Sequence, residues 1–289
     1  MDFLQIFTPE KANKVLFSVL FSGLRGVGKR HTVYDIICNC SGVEHSEKIK
    51  SGKSCDIVEF SGDEGIQYFK EALQGFDSPA KELPHKWLIV NNIEYASKEV
   101  NNFLLKTIED RKHFHVFVTT TNRANVISAL LSRLHIYTIN CLSTEKMKEI
   151  LQKDRSKNSL LSYVDRYCFR SIFELEIYFQ MAFEETFANI YKKSQKSGDI
   201  LKEVEVFLTR LKDLKKFEKE PAILFFLEFI LTRLIQIPEY STMHYQFFLQ
   251  KIKQKFLSGL FCLNNPFVNK ENQFKAFILS LFMWKEVVK

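Results

Sequence analysis

Short apolar runs alternate with stretches of helical periodicity through the first half of the chain. The clearest run, Trp87–Val90, has four consecutive apolar residues, which is typical of a parallel strand buried on both faces. Ser97 is a suitable N-cap for the next segment, whose apolar residues up to Glu109 recur at helical spacing. Four further runs predict strands, at residues 15–22, 56–60, 116–120 and 135–139. Strands that alternate with helices predict a parallel α/β sheet.

The strand pattern stops after Cys141, and only helical patterns follow. We therefore predict an α/β module over residues 1–141, a small helical domain over 142–196 and an all-helical domain over 197–289. The polar segment 193–198 is the predicted linker between the last two. The longest apolar run, residues 222–237, contains Glu228 and Arg233, which favours a buried helix over a membrane span.

Composition narrows the functional classes only moderately. The net charge of +7 is compatible with a modest basic surface that contacts the phosphates of a nucleic acid, but it is too small to indicate such a partner by itself. Six cysteines in 289 residues are too few for a disulfide scaffold. The first residues lack the basic and apolar pattern of a signal peptide. We expect a cytoplasmic protein without a membrane partner.

A glycine-rich segment follows the first predicted strand and precedes a helix. Gly23, Gly28 and Lys29 have the spacing of a phosphate loop, in which backbone amides surround the phosphates and the lysine reaches the outer ones. The next position normally carries Ser or Thr, whose hydroxyl binds Mg²⁺, but here it is Arg30. We expect no required cofactor: the loop is empty or holds a static ATP or ADP through Gly23, Gly28 and Lys29.

The acidic residues that a nucleotide hydrolase needs are missing from the end of the strand 87–90. Asn91 and Asn92 stand where an Asp would organise Mg²⁺ and a Glu would activate water. Asparagine cannot act as a base, and loss of a general base costs about 10²–10⁴-fold in rate. Glu94 is a weak substitute because it lies beyond the strand end. The sequence therefore predicts no intrinsic hydrolysis.

Cysteine and histidine residues cluster after the loop helix. Cys38, Cys40, His45 and Cys55 suggest a zinc site, but a structural zinc site requires tighter spacing such as C-x2-C. We favour reduced packing or surface thiols here and predict no metal.

Three motifs between residues 87 and 137 resemble the clamp-loader branch of the AAA+ family. Residues 102–109 (NFLLKTIE) are similar to the N-A-L-L-K-x-L-E helix of that family. Residues 120–122 (TTN) resemble its sensor-1 region, with Thr121 or Asn122 as the sensor, and 131–134 (LSRL) its Ser-Arg-Cys motif. The resemblance covers roughly residues 1–140. Within the branch it is greatest to the delta-prime class of bacterial DNA polymerase III, because the hydrolytic residues are absent while the arginine is present.

The resemblance implies roles that the residues alone do not. It implies an AAA+ P-loop NTPase-like module, then a helical lid at 142–196 and an oligomerisation collar at 197–289. Arg133, by itself an ordinary surface charge, becomes a trans arginine finger for a neighbouring ATPase subunit. The implied partners are clamp-loader ATPase subunits, a delta subunit, the sliding clamp and, through the assembly, primer–template DNA. Lys98 as a phosphate contact and Arg170 as a sensor-2 residue are weaker expectations.

Three other functions stay open at this point. The chain is an active ATPase subunit of the same loader, an adaptor with a P-loop fold outside replication, or a sequence-independent DNA-binding protein acting through a basic collar. The ATPase alternative predicts magnesium-dependent ATP hydrolysis by this chain. The adaptor alternative predicts that mutation of Arg133 leaves a partner's ATPase rate unchanged. The DNA-binding alternative predicts that the isolated chain binds DNA with an affinity that falls steeply with salt.

Overall fold

The computed structural model divides the chain into two compact units, Met1–Phe173 and Glu174–Lys289. It describes residues 3–51, 54–74, 76, 78–153, 160–164, 169–192, 197–214, 216–236, 274–275, 278–279 and 281. The predicted linker at 193–198 lies largely outside these described residues. The predicted domain boundaries at 141 and 196 stay predictions.

The first unit contains a five-stranded parallel sheet. Its strands are β1 (Ser18–Ser22), β2 (Ile57–Ser61), β3 (Lys86–Asn91), β4 (Phe114–Thr120) and β5 (His135–Thr138), in the spatial order β2-β3-β4-β1-β5. All four pairings are parallel, so every strand ends at the same edge of the sheet. β4 is buried along its whole length because it lies at the centre of the sheet with helices on both faces. The predicted α/β fold class is confirmed.

Helices and short turns connect these strands. The helices of the first unit are α1 (Phe3–Ile6), α2 (Pro9–Lys14), α3 (Lys29–Ser41), α4 (Ser46–Lys50), α5 (Ile66–Ala72), α6 (Lys98–Asp110), α7 (Ser128–Leu131), α8 (Thr144–Lys153) and α9 (Leu161–Val164). Single 3₁₀ turns lie at Val43–His45, Ile93–Tyr95 and Arg123–Asn125. As predicted, Ser97 caps α6, with its hydroxyl accepting from the Val100 amide at 3.2 Å.

The first strand is shorter than the apolar run predicted. Thr8 caps the N-terminus of α2, and Pro9 is its first residue. The helix ends at Lys14, and Val15 is its exposed C-cap residue. The strand therefore begins at Ser18 rather than at Val15. Run length alone could not separate the end of a helix from the start of a strand.

Two apolar layers cover the sheet. One layer centres on Leu88, Val90 and Val116 and receives α5, α6 and α7. The other centres on Phe21, Trp87 and Phe117 and receives α1, α2 and α3. Both faces of the sheet are therefore buried, and its carboxyl edge is where the polar side chains of β2, β3 and β4 meet.

In the described residues of the second unit, helices are joined by short turns at 181–182 and 213–214, and no strand is present. Its helices are α10 (Ile172–Gln180, which begins two residues before the division), α11 (Phe183–Lys192), α12 (Ser197–Lys212) and α13 (Lys216–Gln236). Stacked aromatic rings fill the interior, for example Phe207 on Phe226 with centroids 4.1 Å apart. The predicted buried helix from residue 222 is present, but it begins six residues earlier, at Lys216. Among the described helices, none is long and apolar enough to span a bilayer.

Candidate functional site

The glycine-rich loop joins the end of β1 to the start of α3. Gly28 is the N-cap of α3 and has φ +94°, a conformation that glycine adopts without strain. Lys29 follows and is only 8% exposed. Its ammonium donates to two carbonyl oxygens of the loop itself, Gly23 at 2.7 Å and Leu24 at 2.8 Å. The predicted phosphate-contacting lysine is therefore bonded within its own loop.

Burial has an electrostatic consequence for Lys29. Loss of solvent lowers the pKa of the ammonium to about 8, while the Glu94 carboxylate opposes the shift and the Arg25 guanidinium adds to it. The loop carbonyls are the compensating hydrogen-bond acceptors for this buried charge.

Gly23 has a packing role in this fold. A Cβ atom there would lie 2.5 Å from the carbonyl oxygen of Ile139, which follows β5. Gly23 does not line the cavity beside the loop, whereas Gly28 and Lys29 do. The three predicted loop residues thus separate into one that packs against the end of the sheet and two that face the cavity.

A cavity of about 550 Å³ opens beside the loop at the carboxyl edge of the sheet. Its lining residues come from the loop, the start of α3 and the ends of β2, β3 and β4: Arg25, Gly26, Gly28, Lys29, Arg30, His31, Glu59, Phe60, Ser61, Glu64, Asn91, Asn92 and Thr119. This position, at the ends of parallel strands, is where ligands bind in open α/β sheets.

Arg30 and Glu59 form the main ion pair of this cavity. The guanidinium donates through Nε at 2.5 Å and through Nη2 at 2.6 Å to the two carboxylate oxygens. The same carboxylate accepts from the Tyr34 hydroxyl at 2.9 Å and from the Asn91 amide at 2.6 Å. Burial pushes the pKa of Glu59 up, but these hydrogen bonds outweigh it and hold the pKa below its usual value.

These residues do not fit a Mg²⁺–nucleotide site. Arg30 places a cation where the loop would otherwise offer a hydroxyl ligand, and Glu59, a carboxylate at this edge, is already saturated with donors. Asn91 directs its amide NH₂ at Glu59 and accepts from the Thr119 hydroxyl at 3.2 Å. Mg²⁺ requires oxygen ligands in near-octahedral geometry, and a guanidinium repels it.

Polar residues beyond the ends of β3 and β4 bind one another. The Glu94 carboxylate accepts from both the amide and the hydroxyl of Thr121, at 3.0 and 2.5 Å. Asn122 uses its side-chain oxygen to cap the following turn through the Ala124 amide. Thr119 lines the cavity although neither predicted sensor residue does. The parallel register explains this, since Val90 pairs with Val118 and so places Thr119 beside Asn91.

Arg133 lies away from the cavity, two residues after α7. Its Nε donates to Glu109 of α6 at 2.5 Å, and its Nη1 donates to the Ala129 carbonyl at 2.9 Å and the Ser132 hydroxyl at 3.3 Å. The side chain is 40% exposed. The structure therefore presents Arg133 at the surface and anchors it to its own module.

Cys38, Cys40, His45 and Cys55, whose residue types suggested zinc, do not form one cluster in the described part of the chain. Cys40 is buried in the core, where its thiol donates to the Phe7 carbonyl, and burial raises its pKa to about 11. Cys55 instead neighbours Asp56 and Glu82. Asp56 accepts from the amides of residues 81–83, and Glu82 accepts from Lys48 and Ser54, so these carboxylates serve the surrounding loops.

The weaker expectations concern Lys98 and Arg170. Lys98 is the exposed first residue of α6. The carbonyl of Arg170 accepts from the Leu142 amide. Phe173 packs against the loop. A Cβ atom added to Gly26 would lie 2.5 Å from the Cβ of Phe173, and the Phe173 ring lies 4.9 Å from the Arg25 guanidinium. The sequence pattern did not single out Phe173.

Comparison with known families supports the resemblance for the first unit. Residues 4–143 match the family model of the DNA polymerase III delta subunit. This match covers slightly less than half of the chain and lies almost wholly within the predicted α/β module. No curated protein sequence matches the chain.

Solved structures with related folds include proteins of Thermotoga maritima. A DNA polymerase III gamma subunit-related protein aligns over 97% of this chain and 100% of its own, with 12% identity and a TM-score of 0.48. The RuvB Holliday junction branch migration motor aligns over 71% and 67%, with 19% identity and a TM-score of 0.40. A RuvB variant aligns over 53% of this chain and 48% of its own, with 24% identity and a TM-score of 0.40.

The chain thus spans about half the length of that RuvB variant. Because these scores and identities are low, the fold assignment rests on the strand order and on the loop between β1 and α3. Together they give the first unit a parallel α/β fold with a phosphate-loop-like turn between its first strand and the following helix.

Proposed function

We propose that this chain, whose α/β module carries the clamp-loader AAA+ signature, is a non-hydrolysing subunit of the delta-prime kind in a DNA polymerase III clamp loader. In this role it helps to place the sliding clamp on primer–template DNA. It contributes Arg133 in trans to the ATP site of a neighbouring ATPase subunit. Its partners are then the ATPase subunits, a delta subunit, the clamp and, through the assembly, DNA.

The observation that carries the proposal is the Arg30–Glu59–Asn91 network. An active module needs a hydroxyl and carboxylates for Mg²⁺ and a base for water at this edge of the sheet. Here a guanidinium, a saturated carboxylate and an amide occupy the edge and satisfy one another. The module keeps a rigid scaffold while its own site is unsuited to hydrolysis.

Arg133 is the group through which such a module still acts on nucleotide chemistry. An arginine supplied in trans stabilises the charge that develops on the transferred phosphoryl group and contributes roughly 10³–10⁵ in rate. Its guanidinium is exposed, permanently charged and already oriented by protein acceptors. The helical second unit is the corresponding candidate for holding the subunits together.

Reconstitution with the cognate ATPase and delta subunits tests this role. ATPase activity stimulated by clamp and DNA is compared for wild type, Arg133→Ala and the control Arg123→Ala, which also removes an exposed arginine from the same region. We expect Arg133→Ala to lower kcat at least 100-fold with assembly intact, and Arg123→Ala to retain activity. Equal rates for wild type and Arg133→Ala would reject the trans-finger role and favour an adaptor.

An active ATPase subunit is the second candidate, because the loop retains Gly28 and Lys29. It requires Mg²⁺-dependent hydrolysis by this chain, measured with single-turnover ATP in the absence of partners and again in an assembly whose other ATP sites are inactivated. Turnover in either case would contradict the proposal.

Direct DNA binding by the isolated chain would instead appear as an affinity that falls steeply with salt.

A further inference from the structure

The guanidinium of Arg133 is held from two sides. Glu109 accepts from Nε, while the Ala129 carbonyl and the Ser132 hydroxyl accept from Nη1. The remaining nitrogen, Nη2, makes no hydrogen bond to any residue that the structure describes. Three acceptors therefore fix the plane of the guanidinium and leave one nitrogen open at the surface.

The backbone on both sides of this contact is anchored in the core. Ile108 precedes Glu109 and is buried, and Leu134 follows Arg133 and is buried in the same apolar layer, together with Leu130 of α7. The ends of α6 and α7 thus have fixed positions. The Glu109–Arg133 contact links two rigid points, so Glu109 can define the direction of the arginine side chain.

We infer that Glu109 is the positioning residue for Arg133, keeping Nη2 directed outward for a phosphate oxygen of a neighbouring subunit. The inference rests on the proposed function. An arginine side chain loses rotamer freedom when it is ordered, and Glu109 orders it before the neighbour arrives. Preorganised groups stabilise a transition state without reorganisation during the reaction.

Glu109 and Arg133 are both substantially exposed, at 49% and 40% of their side chains. An exposed pair of this kind contributes little to folding. Removal of Glu109 should therefore disturb catalysis by the assembly rather than the stability of the chain. A positioning role for Glu109 thus predicts a loss of catalytic rate at unchanged stability, whereas a purely structural role predicts a loss of stability.

The test uses the reconstituted loader with Glu109→Ala, Glu109→Gln and the matched control Glu149→Ala, which removes the carboxylate of another exposed pair with Lys146. We expect Glu109→Ala to lower kcat about tenfold with KM for ATP and assembly unchanged. Glu109→Gln, whose amide oxygen still accepts a hydrogen bond, should retain most of kcat. Glu149→Ala should match wild type.

The double variant Glu109→Ala/Arg133→Ala gives the decisive comparison. If Glu109 acts through Arg133, the double variant has the same rate as Arg133→Ala alone. An unchanged or increased kcat in Glu109→Ala would overturn the inference, and an increase would mean that Glu109 sequesters the arginine. If Arg133→Ala itself had no effect, the proposed function would fail as well.

Discussion

The Arg30 guanidinium binds the Glu59 carboxylate through two hydrogen bonds, Nε to Oε1 at 2.5 Å and Nη2 to Oε2 at 2.6 Å. The pair connects the first turn of α3 to β2 across the cavity beside the loop. Asn91 and Tyr34 complete the coordination of the carboxylate. A nucleotide-hydrolysing module requires metal ligands in this region, whereas this chain has a closed network of protein groups.

The strength of the Arg30–Glu59 pair can be measured by a double-mutant cycle. We expect a coupling free energy on the order of 1 kcal/mol for Arg30→Ala and Glu59→Ala, because the bonds are bidentate but the Arg30 side chain is 60% exposed. Urea unfolding is followed by Trp87 fluorescence in a Trp284→Phe background. The single-contact exposed pair Lys146–Glu149 should show a smaller coupling; equal values for the two pairs would contradict the prediction.

Restoring an acidic edge should create Mg²⁺ affinity. In the double variant Arg30→Ser/Asn91→Asp the new carboxylate lies beside Glu59, and two carboxylates in contact favour a divalent cation. We expect millimolar Mg²⁺ to raise the Tm of this variant by about 3 °C and to leave the wild type unchanged.

The variant Asn91→Asp alone is the control, because Arg30 still neutralises the site. A Mg²⁺ response as large in Asn91→Asp as in the double variant would show that Arg30 is no obstacle to the metal. Calcium at the same concentration tests whether any stabilisation depends on the smaller ion.

Lys29 should make stability depend on pH in the alkaline range. Its folded pKa of about 8 lies below its unfolded value of 10.5, so the unfolded chain binds more protons between these pH values. Stability therefore rises with pH in that window, as the cost of the buried charge disappears.

Relative to Lys29→Met, the wild type should gain on the order of 2 kcal/mol of unfolding free energy between pH 7.5 and pH 10. The comparison with Lys29→Met removes the effects of other groups that titrate in the same range. A pH-independent difference would mean that the ammonium is well solvated in the folded state.

Arg111 should stabilise the junction between α6 and β1. Its Nη1 donates to the Ile108 carbonyl at 2.6 Å, and its Nη2 contacts Ser18 and the backbone before β1. Arg111→Met keeps the apolar stem but removes the guanidinium donors to the Ile108 carbonyl and to Ser18, at a cost of roughly 2 kcal/mol. Urea unfolding measures the loss, and Lys106→Ala, on the exposed part of α6, is the control. A loss below 0.5 kcal/mol for Arg111→Met, about the level of ordinary surface substitutions, would reject this role.

Features that depend on neighbouring residues could be predicted from the sequence. The run Trp87–Val90 and its counterparts predicted the parallel sheet, because burial on both faces requires continuous apolar residues. Ser97 predicted the start of α6. The absence of acids at Asn91 and Asn92 is a property of residue type, which no folding can change.

The partners of the polar residues depended on the tertiary structure. Glu59 is 29 residues from Arg30, and Glu109 is 24 residues from Arg133, so no local pattern connects them. Thr119 reaches Asn91 only through the register of β3 and β4. The sequence by itself predicted the presence of the five strands, the loop and the loss of catalytic residue types, but not every element boundary. Only the folded sheet, whose parallel strands all end at one edge, decided which distant side chains meet there, because that meeting depends on strand order and register rather than on spacing along the chain.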